Sequence, residues 1–215
     1  MMSVLCRAGI VLFFFCLCGV FPSPSPAADP VVEKIRKAYE GIQDIKGSFV
    51  QKSVLKDLGR TDTFRGTFMI AMPSRMRWHY RGEDAGQQTE VIIHGDEMII
   101  YQKKEKQAFR GRFDRETYGQ APIALLSGLG NLEKEFEISV KNGRLMLKPK
   151  KPMGNVVSLE IVPSDGAFPI ASLGITDRHG NRIDITFRDV SLNTGLAESA
   201  FEFTLPKGAS MYENK

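Results

Sequence analysis

Cysteine is scarce and badly placed for a structural role: Cys6, Cys16 and Cys18 are the only three, all close to the N-terminus. The segment around them, residues 1–28, has Arg7 as its sole charge, an apolar run from Ile10 to Phe21, and a small, turn-prone tail from Pro22 to Ala28. That layout predicts a secretory signal peptide, cleaved after Ala27 or Ala28. The apolar run is too short to cross about 30 Å of hydrocarbon as a helix, which takes roughly 20 residues. Lipid attachment at Cys16 or Cys18 wants a small residue just before the cysteine, and Phe15 and Leu17 stand there instead. With the signal removed, no cysteine remains. The exported domain, residues 29–215, is expected to fold as one unit without a disulfide, although its destination is oxidising.

Groups that carry out chemistry are just as thin. The three histidines, His79, His94 and His179, stand far apart, outside any metal-ligand spacing, so neither a metal nor a cofactor is predicted. Ser127 in Leu-Leu-Ser-Gly-Leu lacks the GxSxG frame of a strained nucleophile turn. Gly128 and Gly130 make no phosphate-cradling loop, and the pair Glu133 and Glu135 reads as ordinary surface charge. The chain is therefore not expected to be an enzyme, and a secreted hydrolase using Ser127 is the competing reading from a different class. Charge also excludes: a net +4 that loses Arg7 with the signal is too slight a surplus to argue for nucleic acid. The basic runs at Lys103, Lys104, Lys106, Arg110 and Arg112, and at residues 148–151, read as solvated turns or a basic rim.

What the chain does contain is a change of period. Asp29-Pro30 is an N-cap with proline in the first turn, and Val31, Val32, Ile35, Ala38, Tyr39, Ile42 and Ile45 recur every three to four positions. One amphipathic helix is expected, weakened at Gly41 and ended near Lys46-Gly47. From Ser48 onward the period is two. Strands are predicted at 48–55, 63–71, 75–81, 90–94, 97–102, 107–112, 136–140, 144–148, 156–162, 170–177 and 182–187. Asn142-Gly143 is the strongest hairpin turn, and such short connections make neighbouring strands antiparallel. Pro122, Ile123, Leu125 and Leu126 break the rhythm, as a short helical insertion would.

Several strands are apolar on both faces: Phe68 to Met72, Val91-Ile92-Ile93 and Met98-Ile99-Ile100. Both sides of such strands must be kept from water. Helices over one face with the other curving round an apolar space would do this, and so would a filled ordinary core. Methionines at 69, 72, 76, 98 and 146, where β-branched residues would be usual, suit a surface that adapts to flexible chains, or equally a gap-filling core. In 75–81, Met76, Trp78 and Tyr80 share one face while Arg75, Arg77, His79 and Arg81 take the other.

The order of these features resembles the periplasmic outer-membrane lipoprotein carrier family, LolA. The residues that carry the likeness are Ile45-Lys46-Gly47-Ser48-Phe49-Val50-Gln51, Gly66-Thr67-Phe68, Pro73, Arg77-Trp78-His79-Tyr80, His94-Gly95 and the run from Met98 to Tyr101. Pro122-Ile123 and a C-terminal series through Phe187, Arg188, Asp189, Val190, Asn193, Leu196, Phe201-Glu202-Phe203 and Pro206-Lys207-Gly208 complete it. The resemblance implies a mainly β fold with helices (α+β): one antiparallel sheet curved into an unclosed β-barrel around a hydrophobic cavity, under a helical lid. It also implies a monomeric periplasmic carrier of acylated lipoproteins, running from an inner-membrane ABC transporter to an outer-membrane receptor. A lipoprotein-binding sensor or receptor module of the same fold is the alternative.

On that resemblance Phe49, Phe68, Ile70, Met76, Trp78, Ile92 and Ile100 are candidates for the lipid-binding cavity, with Pro122, Ile123 and Leu126 on the lid. Alternation alone leaves open which face points inward. The family often has a basic residue before the proline matched by Pro73, thought to lock the lid. Here that residue is Met72, and Arg75 or Arg77 are the candidates to replace it.

Overall fold

The computed structural model describes residues 29–82, 88–114 and 132–213. Helix α1 (Pro30–Glu40) starts where the sequence predicts: Asp29 Oδ1 accepts from the Val31 amide at 2.9 Å, and Pro30 occupies the first turn. Its buried stripe is Val32, Ile35 and Tyr39, while Arg36 bridges Glu33 and Glu40 on the wet side.

The helix ends at Gly41, several residues before the expected Lys46-Gly47. Ile42 and Ile45 fit a helical period, but strand partners take their backbone. The Met72 amide donates to the Gln43 carbonyl at 2.9 Å, Asp44 pairs with Ala71, and Ile45 lies between Ile70 and Leu192. Ladder hydrogen bonds on both sides outweigh the local period.

Eleven strands follow the sequence expectation closely: β1 (Asp44–Leu55), β2 (Arg60–Ala71), β3 (Arg75–Arg81), β4 (Gln88–His94), β5 (Glu97–Gln102), β6 (Gln107–Arg112), β7 (Phe136–Lys141), β8 (Arg144–Pro149), β9 (Val156–Pro163), β10 (Ile170–Asp177) and β11 (Arg182–Leu192). A one-turn helix, α2 (Leu132–Glu135), precedes β7, and a twelfth strand, β12 (Ser210–Glu213), comes last. All the strands belong to one sheet in the order β12-β6-β5-β4-β3-β2-β1-β11-β10-β9-β8-β7. Two antiparallel meanders thus join where β1 pairs with both β2 and β11, and among the described residues the sheet ends at β12 and β7 without closing. Asn142 and Gly143 both take positive φ, 52° and 72°, as the tight hairpin between β7 and β8 requires.

Strand β11 runs past the expected stop at Phe187 because of a bulge: Ser48 pairs with Arg188 but Lys46 with Ser191. The extra residue falls near Asp189, whose φ is 50° and whose carboxylate accepts from Ser48 Oγ at 3.1 Å. β12 pairs parallel with β6, the one exception to the expected antiparallel order.

A buried clamp ties the two meanders together. Asp44, only 5% exposed, accepts from the Thr194 amide (2.8 Å) and hydroxyl (3.0 Å), the Gly195 amide (2.8 Å) and the Leu196 amide (3.3 Å). Asn193 completes it, accepting from the Gln43 amide and donating to the Gly41 carbonyl. Burial disfavours the Asp44 charge, yet these donors outweigh it and hold the carboxyl below the usual carboxylate range. A folded pKa below the unfolded value of about 3.9 means that the ionised clamp stabilises the fold above that pH and loses its contribution as pH falls through the folded value. Asp44→Asn is therefore expected to cost about 2 kcal/mol at pH 7, read as a lower urea midpoint, with the gap from wild type narrowing below pH 4. A gap of constant size from pH 7 to pH 3 would show that the charge is not what counts.

Candidate functional site

The two faces of the sheet are covered differently. The inner face and α1 share one large cluster that includes Ile45, Phe49, Phe68, Ile70, Met76, Trp78, Ile93, Phe168 and Phe187. Within it the aromatic rings form a chain. Tyr39 of α1 lies 6.3 Å from Phe168, which is 5.5 Å from Phe187, 5.6 Å in turn from Phe68. Phe68 stacks on Trp78 at 5.0 Å, Trp78 lies 4.5 Å from Phe49, and Phe49 meets Tyr80 edge-on at 5.3 Å. Offset and edge-on rings in this range attract one another beyond their buried area. The Tyr39 hydroxyl and the Trp78 indole N–H are both buried without a hydrogen-bond partner among the described residues.

Beyond Tyr80 the aromatic chain gives way to a cavity of about 410 Å³ lined by Gln51, Phe64, Tyr80, Thr89 and Gln102 among others, at the end of the inner face away from α1. Its floor is polar but satisfied. Tyr80 Oη donates to Gln51 Oε1 at 3.2 Å, and Gln51 Nε2 donates to Ser53 Oγ at 3.1 Å. A volume of this size lies within the range of about 300–1,000 Å³ usual for small-ligand pockets.

The outer face of β4, β5 and β6 carries a second apolar cluster: Ile92, Ile99, Tyr101 and Ala108, covered by Phe203, Ala209 and Met211. The covering element is the C-terminal segment, in which a 3-10 turn (Glu198–Phe201) leads toward β12, and not a helix as the two-sided strands suggested. Phe203 lies 5.5 Å from Tyr101.

Five of the seven candidate cavity residues, Phe49, Phe68, Ile70, Met76 and Trp78, are buried together in the inner cluster, and Ile100 is half-buried against it. Ile92 is a correction. Its neighbours Val91 and Ile93 take the inner face, so one step of alternation sends Ile92 outward beneath the C-terminal segment. Arg75 and Arg77 stand on the outer side of β3, opposite Met76 and Trp78. Arg75 lies 5.6 Å from the Phe201 ring and 3.9 Å from Glu198. Arg77 pairs with Glu90 at 3.0 Å and donates to the carbonyls of Ala200 and Glu202. Among the described residues both hold the C-terminal segment. The lid candidates Pro122, Ile123 and Leu126, like Ser127 and the signal segment, lie outside the described residues.

Sequence reasoning missed Tyr39, Phe168 and Phe187 as members of the inner aromatic chain. Phe187 was within reach of it, since it alternates with Ile185 on one face of β11. Phe168 was not, because it sits in a loop before β10.

The family described as "Outer membrane lipoprotein carrier protein LolA" matches residues 40–204 of the chain. An outer-membrane lipoprotein carrier protein of Cupriavidus necator is 30% identical over 210 residues, covering 90% of this chain and 92% of the relative. Another, from Neisseria meningitidis serogroup C, is 26% identical over 206 residues, covering 94% and 96%. Among solved structures, an uncharacterized conserved protein from Thermus thermophilus superposes with a TM-score of 0.53 at 10% identity, covering 86% of this chain and 97% of its own. That last likeness speaks to the fold alone. Among the described residues no helix is long and apolar enough to cross a membrane.

Proposed function

The chain belongs to the LolA family of outer membrane lipoprotein carrier proteins, and from that premise we propose that its inner face holds the acyl chains of lipoproteins while they cross the periplasm. The protein is a lipoprotein carrier. It takes its cargo as a monomer from an inner-membrane ABC transporter and passes it to an outer-membrane receptor. The observation that carries this reading is the inner face itself: a continuous apolar and aromatic surface on a sheet that does not close, leading into a cavity of about 410 Å³.

Energetics favour partial enclosure. Each methylene taken from water is worth about 0.8 kcal/mol, so three chains of about fifteen carbons would release roughly 36 kcal/mol if wholly buried. Non-covalent binding saturates near 20 kcal/mol, and cargo held more tightly would never leave. An interior already occupied by Phe49, Phe68 and Trp78 supports the same conclusion, since incoming chains must displace ring contacts and gain less for it. Handover then needs only a receptor that covers more of the chains.

Purification of the mature protein from its native envelope, followed by mass spectrometry of what travels with it, tests the proposal. Acylated lipoprotein is expected to co-purify. Protein that emerges bare, and that also fails to draw lipoprotein out of inner-membrane vesicles, would refute it.

A further inference from the structure

One inner-face row crosses the sheet as Phe68, Trp78, Val91, Ile100, Phe109, Tyr212, each residue paired with the next on the neighbouring strand. Its first two members are sealed in the core at 1% and 0% exposure, Val91 and Ile100 are half-buried, and the last two are open at 40% and 47%. Phe109 and Tyr212 stack with centroids 5.5 Å apart. The row steps outward across four strand spacings of about 4.8 Å each, close to about 19 Å from Trp78 to the sheet edge.

The flanking rows differ from it. On one side, Thr89, Gln102, Gln107 and Ser210 form a polar border. On the other, Met98 faces Gly111, so the neighbouring row brings no side chain from β6 beside Phe109. Isolated surface aromatics are common and need no explanation. This pair is different, because it is the outer end of a graded apolar track that reaches the interior, and β12 contributes Tyr212 at its tip.

Resting on the carrier reading above, we propose that acyl chains load and leave over the β6–β12 edge, sliding along this row, with Phe109 and Tyr212 as its outer step. A chain entering here stays on apolar surface as far as Trp78, running alongside the border at Thr89 and Gln102. A residue on such a path lowers the barrier in both directions and leaves the seated state alone, so it governs rates and not affinity.

The sole tryptophan, Trp78, lies at the inner end and reports arrival. Stopped-flow quenching of its fluorescence by a lipopeptide with brominated acyl chains, offered in mild detergent, measures loading; transfer to acceptor vesicles measures release. F109S/Y212S is expected to slow both by about tenfold while the final quenching matches wild type. F109L/Y212L, which keeps the row apolar, is expected to keep wild-type rates and so separates loss of the track from loss of strand pairing. Unchanged rates in the serine variant would overturn the proposal. So would a reduced quenching amplitude, which would make the pair part of the seat, or equal slowing in the leucine variant. Absence of quenching in the wild-type protein would instead bring down the carrier reading, and this proposal with it.

Discussion

Alanine at Gly66 is expected to remove about 4 kcal/mol of stability, enough to leave little folded protein at 37 °C. Gly66 sits in β2 between Phe49 of β1 and Tyr80 of β3. A Cβ there would stand 1.8 Å from the His79 carbonyl oxygen and 2.8 Å from the Phe49 ring. The first contact is with backbone, so no rotamer change relieves it. β3 would have to move away from β2, breaking the register that sets Trp78 against Phe68. A methyl group thus disturbs the whole aromatic chain, and overpacking of that kind exceeds the usual range because the obstacle is a strand. Urea unfolding followed by Trp78 fluorescence checks it. A midpoint within error of wild type would mean that the strands separate far more easily than their packing implies.

The second large effect is functional and turns on parity. Ile100→Glu is expected to weaken acyl-chain binding by about a hundredfold, because a carboxylate on a half-buried inner position must be stripped of water when a chain covers it. Ile92→Glu carries the same change to the outer face. There it should loosen the C-terminal segment at Phe203 and leave binding near wild type, since Ile92 packs with Ile99 and Tyr101. Titration of Trp78 quenching with brominated lipopeptide, beside limited proteolysis of the C-terminal segment, separates the two. Equal loss of binding in both variants would mean that the inner face is not where chains sit.

That pair of residues also shows how far the sequence could be read. Period-two alternation locates strands well where one face is dry and turns are tight: β3, β5, β6 and β10 begin and end where the pattern says. Parity within a two-sided apolar strand is invisible, because Val91, Ile92 and Ile93 look alike and only a distant partner decides which turns outward. Here that partner is the C-terminal segment, whose covering residues, Phe203, Ala209 and Met211, have no period of their own. The same cause hides β12, a short strand whose pairing partner lies far earlier in the chain, in β6. The partners that Arg75 and Arg77 find, the Phe201 ring and the Ala200 and Glu202 carbonyls, are equally remote in sequence. Gly66 was visible within the Gly66-Thr67-Phe68 motif, but its reason for being glycine exists only once β3 is alongside.

Closed barrels have their radius dictated by strand count and stagger. This sheet ends at β7 and β12, and among the described residues neither outer edge has a strand partner. Free of that constraint, a small change in twist at each neighbouring pair of strands, with every ladder hydrogen bond kept, would add up to a wider or narrower trough. A carrier with such a wall would fit its contents by degrees, through a gradual flexing of the whole sheet instead of a switch between two fixed shapes.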